Sequence, residues 1–126
     1  MHVEPGARAE IKLTVGEDDT AIAMRSGDVP VLATPRVVAL VEEASVAAVD
    51  GHLPAGRTTV GMRVQLDHLQ PTAVGSTVAA EAVLEKVEGR RLLFTVSVRD
   101  HRGLVACGKV TRVIVDAERF LDKMNG

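Results

Sequence analysis

Tryptophan and tyrosine are absent from this 126-residue chain, and only two phenylalanines are present. Any core must therefore be assembled from Val, Leu, Ile and Ala, and Val-rich segments favour strands because β-branched side chains fit a pleated surface. The single cysteine, Cys107, excludes an internal disulfide and a cysteine-based zinc site, and it fits a reducing cytosol. No run approaches the ~20 apolar residues that a membrane span needs, and the N-terminal MHVEPGARAE is neither basic nor apolar enough for a secretory signal. A formal net charge of −2 leaves no basic footprint for nucleic acid. No glycine-rich loop of the Walker or dinucleotide type occurs, so neither ATP nor NAD is indicated. No histidine spacing supports a metal site. The expectation is a cytoplasmic protein with no nucleic-acid or membrane partner, no metal and no cofactor.

What is present is the balance of a folded domain, with 46% hydrophobic and 25% charged residues. The length predicts a single domain over 1–126. Residues 9–15, AEIKLTV, alternate polar and apolar and predict a first strand. TAIAM (20–24) has the composition of a short second strand, followed by the loop chemistry of RSGDVP. Four further strand segments run at 58–70, 76–87, 91–100 and 104–116. The connections PTAVG, EGR and HRG are hairpin-length and contain glycine, which predicts antiparallel neighbours. A short helix over 117–124 closes the chain.

Between the second and third of these segments lies ATPRVVALVEEASVAAVDGH (33–52). It reads as one helix, with Thr34 as N-cap, Pro35 at the first helical position and Gly51 just past the end. Val37, Leu40, Val41, Ala44 and Ala48 form the stripe expected to lie on a sheet. Glu43 falls in the polar sector with Arg36 and Asp50. Glu42 falls among Val38, Ser45, Val46 and Val49, drier surroundings in which an acid needs a partner. A sheet with one long helix, apolar on nearly every side, predicts an α+β fold in which the sheet wraps a central helix.

In TTVGMRVQLDHLQ the period of two puts Val60, Met62, Val64, Leu66 and His68 on one face, aimed at that helix. His68 is either a structural histidine or part of a constellation with Glu42 and the Thr34 hydroxyl, in which each group shifts and orients the next. Thr34 itself either caps the helix or serves a site at the helix start, where oriented N–H groups stabilise an oxyanion. Gly61 is either a β-bulge or a point of close ligand approach. Arg90 and Arg91 at the EGRR tip, near Lys86, are either a solvated turn or a phosphate contact. Cys107 is expected as a small buried hydrophobe, and His2, His52 and His101 as loop or terminal residues.

The spacing of Thr34, Glu42 and His68 resembles the Thr, Glu and His triad of the fluoroacetyl-CoA thioesterase branch of hotdog proteins. Flanking text is similar as well: ATPRVVALVEEASVAAV at the helix start, VGMRVQLDHLQPTAVGSTV around the histidine, and VEGRRLLFTVSVRD in the following hairpin. The resemblance covers roughly residues 30–123, and its register holds without gaps from Thr34 to about Asp100. It implies a hotdog fold, a curved antiparallel sheet enclosing one long helix, and a homodimer with active sites at the subunit interface, a tetramer being equally compatible. It implies hydrolysis of an acyl-CoA thioester to free acid and coenzyme A, with Thr34 and Glu42 in nucleophilic or water-activating roles and His68 assisting proton transfer. Gly61 matches the glycine whose N–H meets the thioester carbonyl. SGDVPVLAT lacks the phenylalanines that form an apolar lid in the fluoroacetate-resistance enzyme, so a different small or medium acyl group is expected. The alternative on the same scaffold is a non-catalytic acyl-CoA or hydrophobic-ligand binding module. A hotdog enoyl-CoA hydratase ranks third, because the helix start lacks the Asp and His pair it would want.

Overall fold

The structure, a computed structural model, describes residues 2–125. Five strands, β1 (Arg8–Thr14), β2 (Arg57–His68), β3 (Thr77–Glu88), β4 (Arg91–Asp100) and β5 (Gly103–Asp116), form one antiparallel sheet in the order β1-β3-β4-β5-β2. The long helix α1 (Thr34–Ala48) lies across one face and packs against all five strands. A short helix α2 (Ala117–Asp122) follows β5. This is the hotdog arrangement.

The apolar stripe of α1 behaves as its periodicity predicts. Val37, Leu40, Val41, Ala44 and Ala48 are all buried, and Ser45 joins them by donating its hydroxyl to the Val41 carbonyl at 2.8 Å. Facing them are Val78, Ala80, Ala82 and Leu84 of β3, and Leu92, Phe94, Val96 and Val98 of β4. Small side chains in β3 let the helix come close, so a core with one aromatic ring still fills its volume.

Four expectations are corrected. TAIAM is not a strand: Met24 N–H bonds the Thr20 carbonyl (2.9 Å) and the Thr20 hydroxyl accepts from Ala23 N–H (3.1 Å), winding the segment into turns. Only Thr20 bridges, to Leu32. PTAVG is not a hairpin, because β2 pairs β5 at the sheet edge, three strands away from β3. Its connection runs over the β4–β5 turn, where Leu69 and Gln70 N–H bond the Val105 carbonyl and the Arg102 guanidinium donates to the Pro71 carbonyl. Asp100 holds that Arg102 through its backbone N–H (2.8 Å) and its side chain (3.3 Å). The third correction concerns the helix start. Ala33 is the N-cap, so Thr34 is the first helical residue, Pro35 the second, and the Thr34 hydroxyl makes no cap.

The fourth lies in β2. The β2–β5 register shifts between Gly61 and Arg63, leaving Met62 as an extra residue in a bulge. The helix-facing row is therefore Thr59, Gly61, Val64, Leu66 and His68, whereas Met62 is exposed. A bulge exchanges the faces before and after it, so a strict period of two fails across it. Gly108, opposite Leu66, is required for another reason: a Cβ there would come within 1.9 Å of the Gln65 carbonyl oxygen.

Candidate active site

Two clusters of polar side chains sit against α1. The first is at its N-terminus. Ala33 N–H bonds the Asp19 carbonyl (2.8 Å), while the Asp19 carboxylate accepts from Arg36 Nε (3.0 Å) and from Gly16 N–H (2.8 Å). Leu32 N–H bonds the Thr72 carbonyl at 2.9 Å. The start of the helix is thus pinned to the segment after β1 and to the β2–β3 connection, and the Thr34 hydroxyl meets Nδ1 of His68, the last residue of β2, at 2.7 Å. A cavity of about 320 Å³ opens beside this pair, walled mainly by apolar side chains that include Val29, Val31, Leu32 and Leu69, with no aromatic ring among them.

Burial pushes the His68 imidazole below its ordinary value of 6.5, a shift that the Gln70 backbone partly offsets. The ring is therefore neutral near pH 7, with one N–H and one bare nitrogen. Nε2 is buried and has no hydrogen-bond partner among the described residues. If Nδ1–H donates to Thr34, Nε2 is bare and can take a proton; if the Thr34 hydroxyl donates, Nε2 carries a proton that it can give.

The second cluster lies mid-helix. Arg112 of β5 is buried in the helix-facing row and donates from Nη1 to Glu42 Oε2 at 2.9 Å. Thr59 fixes the guanidinium from behind, its hydroxyl accepting from Nε (2.9 Å) and its carbonyl from Nη2 (3.0 Å). Gly61 stands opposite Arg112 in the β2–β5 register, and a Cβ on it would lie 2.6 Å from Glu42 Oε2. The carboxylate occupies the space that a side chain would fill. One carboxylate oxygen is held by Arg112 and the other is not hydrogen-bonded to any described residue.

The partner that Glu42 needed is thus Arg112, and neither His68 nor Thr34 contacts the carboxylate among the described residues. Reading β5 by the period of two finds the missed residue: Val110, Arg112 and Ile114 share one face, and a charge in a core-facing row calls for an acid opposite. Arg90 lies in the β3–β4 turn, its carbonyl accepting from Ile114 N–H at 2.8 Å. Arg91 begins β4 with its exposed side chain on the face opposite the buried Leu92, so the two arginines diverge. Cys107 is half-buried on the face away from α1, opposite Asp67 and Ser97, and is not the buried hydrophobe expected. Among the described residues no group of three His, Cys, Asp or Glu side chains is placed to hold a metal ion, and no helix is long and apolar enough to cross a membrane.

The hotdog sheet sets a guanidinium-held glutamate beside a bare glycine, and the proteins to which the chain is similar make the class thioester hydrolase acting on acyl-CoA. The comparisons narrow it. The sequence model of the fluoroacetyl-CoA-specific thioesterase family matches residues 15–118, and the chain belongs to that family. It is 35% identical over 94 residues to the fluoroacetyl-CoA thioesterase of Streptantibioticus cattleyicolor, covering 75% of this chain and 68% of that one. Its fold superimposes on a solved structure of the fluoroacetyl-CoA thioesterase FlK with a TM-score of 0.93 at 28% identity, over 99% of this chain and 97% of that one. A hotdog-like protein of Thermanaerovibrio acidaminovorans is similar at a TM-score of 0.88 and 26% identity, over 95% and 89% of the two chains.

Proposed function

We propose that the protein hydrolyses a small or medium acyl-CoA with Glu42 at the thioester carbonyl and the Thr34–His68 pair handling protons. The observation that carries this is the Glu42 carboxylate pressed against Gly61, with one oxygen held by Arg112 and the other unengaged. That oxygen either attacks the carbonyl carbon, expelling the thiolate to leave a mixed anhydride that water then cleaves, or takes a proton from a water that attacks instead. In both routes the C–S bond breaks, and the proton lost by the attacking water ends on the departing sulfur, with the neutral His68 ring as the relay. The Gly61 N–H is the donor assigned to the carbonyl oxygen. Of the two arginines at the β3–β4 turn, Arg90 is assigned to the coenzyme A phosphates, and Arg91, on the opposite face of β4, is not. No cofactor is invoked, and the setting assigned is a reducing cytoplasm. With no phenylalanine in 20–33 and the apolar part of the cavity wall made of aliphatic side chains such as Val29, Val31, Leu32 and Leu69, the acyl group assigned is one other than fluoroacetyl.

The same proposal includes a homodimer. Eight residues of α1, about 12 Å of rise, separate Thr34 from Glu42. Thr34–His68 and Glu42–Arg112 are therefore half-sites that one chain keeps apart. The outer edge of β2 pairs with no described strand, and exposed Val46 and Met62 flank Glu42. A two-fold pair of chains meeting at this edge sets the Thr34–His68 half of each against the Glu42 half of the other.

Thiol release from an acyl-CoA panel (acetyl, short branched, phenylacetyl, medium-chain) tests the activity, with Glu42→Ala and His68→Ala as controls. Variants as fast as the parent overturn the residue assignment, and binding without thiol release selects the non-catalytic module. Mixing the two dead variants tests the shared site. A mixed dimer regains one intact site if the halves come from different chains, and no activity returns if each site lies within one chain.

A further inference from the structure

Basic side chains converge at the end of the sheet where β2 begins. A cleft of about 280 Å³ there is lined by Arg57, Arg90, Arg119 and Lys123, with Phe120 and Asp116 completing its wall. Four cations face one carboxylate. The Asp116 carboxylate is already engaged, accepting from Arg119 N–H at 3.0 Å as the cap of α2. None of the four cations forms a salt bridge with a described residue, although Arg8, Arg36, Arg102 and Arg112 each do. The cations come from three separate places, the start of β2, the β3–β4 turn and α2, so the fold and not a run of sequence brings them together. A protein with a net charge of −2 has gathered unpaired positive charge at one concave point. Such a point attracts multiply charged anions, and guanidinium forks match phosphate oxygens in geometry. Phe120, 37% exposed, offers the flat apolar surface on which a base ring stacks.

We propose that this cleft holds the adenosine 3′,5′-bisphosphate end of coenzyme A, a proposal that rests on the thioesterase reading and extends it to named nucleotide contacts. The spacing along β2 agrees. Gly61 lies four residues beyond Arg57, about 13 Å along the strand. A pantetheine arm has the backbone bonds of about four residues and extends about 14 Å. Between the two lies a second depression, about 210 Å³, walled by Val46, Val49, Thr58 and Thr59 and sharing Arg57 with the basic cleft. A thioester at Gly61 and Glu42 therefore leaves its arm a path to the cleft. Arg91, on the opposite face of β4, takes no part.

The experiment compares hydrolysis of one acyl group on coenzyme A and on pantetheine, which lacks the nucleotide, in the parent and in Arg90→Gln/Arg119→Gln/Lys123→Gln. Calorimetric titration with adenosine 3′,5′-bisphosphate runs alongside. The expected result is a fall of at least tenfold, carried by KM, in the ratio of kcat/KM for the coenzyme A ester to that for the pantetheine ester. The bisphosphate affinity falls to match. An unchanged ratio overturns the proposal, and an unchanged ratio with lost bisphosphate binding reassigns the cleft to a free nucleotide. If the parent hydrolyses neither ester, the thioesterase reading has failed. The titration then still decides the cleft, since bisphosphate binding equal in parent and triple variant overturns it. A single Arg119→Lys variant, keeping charge and losing the fork, recovers part of the affinity if phosphate is the ligand.

Discussion

The two half-sites are built on opposite principles. Thr34–His68 is a neutral pair at the rim, one hydrogen bond long, set by loop segments tied to the helix start. Glu42–Arg112 is a charged pair on a helix and a strand, braced by two bonds to Thr59 and shaped by the missing side chain of Gly61. Holding a charge inside requires a partner and fixed geometry, because an unpartnered buried charge is costly. Holding a neutral imidazole requires only a dry pocket and one orienting bond. The inner half is thus where the fold fixes position, and the outer half where small environmental changes tune a proton.

Mutations separate these roles. The largest expected effect is Glu42→Gln, which lowers kcat by about 10³-fold while circular dichroism stays that of the parent. Loss of stability without loss of turnover would show Glu42 to be only a structural acid. Next is Arg112→Gln, expected to lower stability by about 2 kcal/mol in urea denaturation and to reduce turnover as well, since it frees the carboxylate it held. Gly61→Ala displaces Glu42 Oε2 and is expected to reduce kcat/KM roughly 10²-fold with a much smaller change in melting temperature. A larger loss of stability than of activity would make Gly61 a packing residue alone.

The outer half gives smaller effects. Thr34→Ala removes one neutral hydrogen bond and is expected to cost roughly 5- to 10-fold in kcat/KM, with Thr34→Ser restoring most of it. Its pH signature is distinctive. Because folding disfavours the charged His68 ring, the unfolded chain binds the proton more readily below 6.5. Stability from this group is present above 6.5 and is lost as pH falls through the lowered folded value. NMR titration of the His68 ring should therefore give a midpoint below 6.5, and the acid limb of turnover should follow it. A midpoint at or above 6.5 would mean that the ring is not buried as described.

Much of this was legible before folding, for identifiable reasons. The stripe of α1 and the hairpins around EGR and HRG follow from nearest-neighbour chemistry, and the strand ends fell within two residues of expectation. The dryness of Glu42 followed from the wheel, and its spacing to Thr34 and His68 from the resemblance. Three things were hidden. The Met62 bulge, which the sequence offers at Gly61 only as one of two readings, inverts half of β2 and depends on β5, not on local composition. Thr34, at a helix start, reads as a cap or as a site group, but a cap needs an extended backbone and Ala33 takes that position. Arg112 alternates with Val110 and Ile114 in the sequence, but an exposed strand face accepts arginine equally well, so the pattern alone does not place it inside.

The sequence by itself determined the five strands of the sheet and the two helices, which face of α1 is buried, and that an acid sits within that apolar helix. These depend on periodicity and propensity, which are carried within a few residues. Only the tertiary structure decided that β2 leaves its neighbour in sequence to join β5 at the sheet edge. From that pairing come the bulge that turns Gly61 inward, the approach of Gly108 to Gln65, and the placement of Arg112 on Glu42. Strand pairing is a competition among distant partners for one buried face, and its outcome depends on how the whole sheet covers one helix.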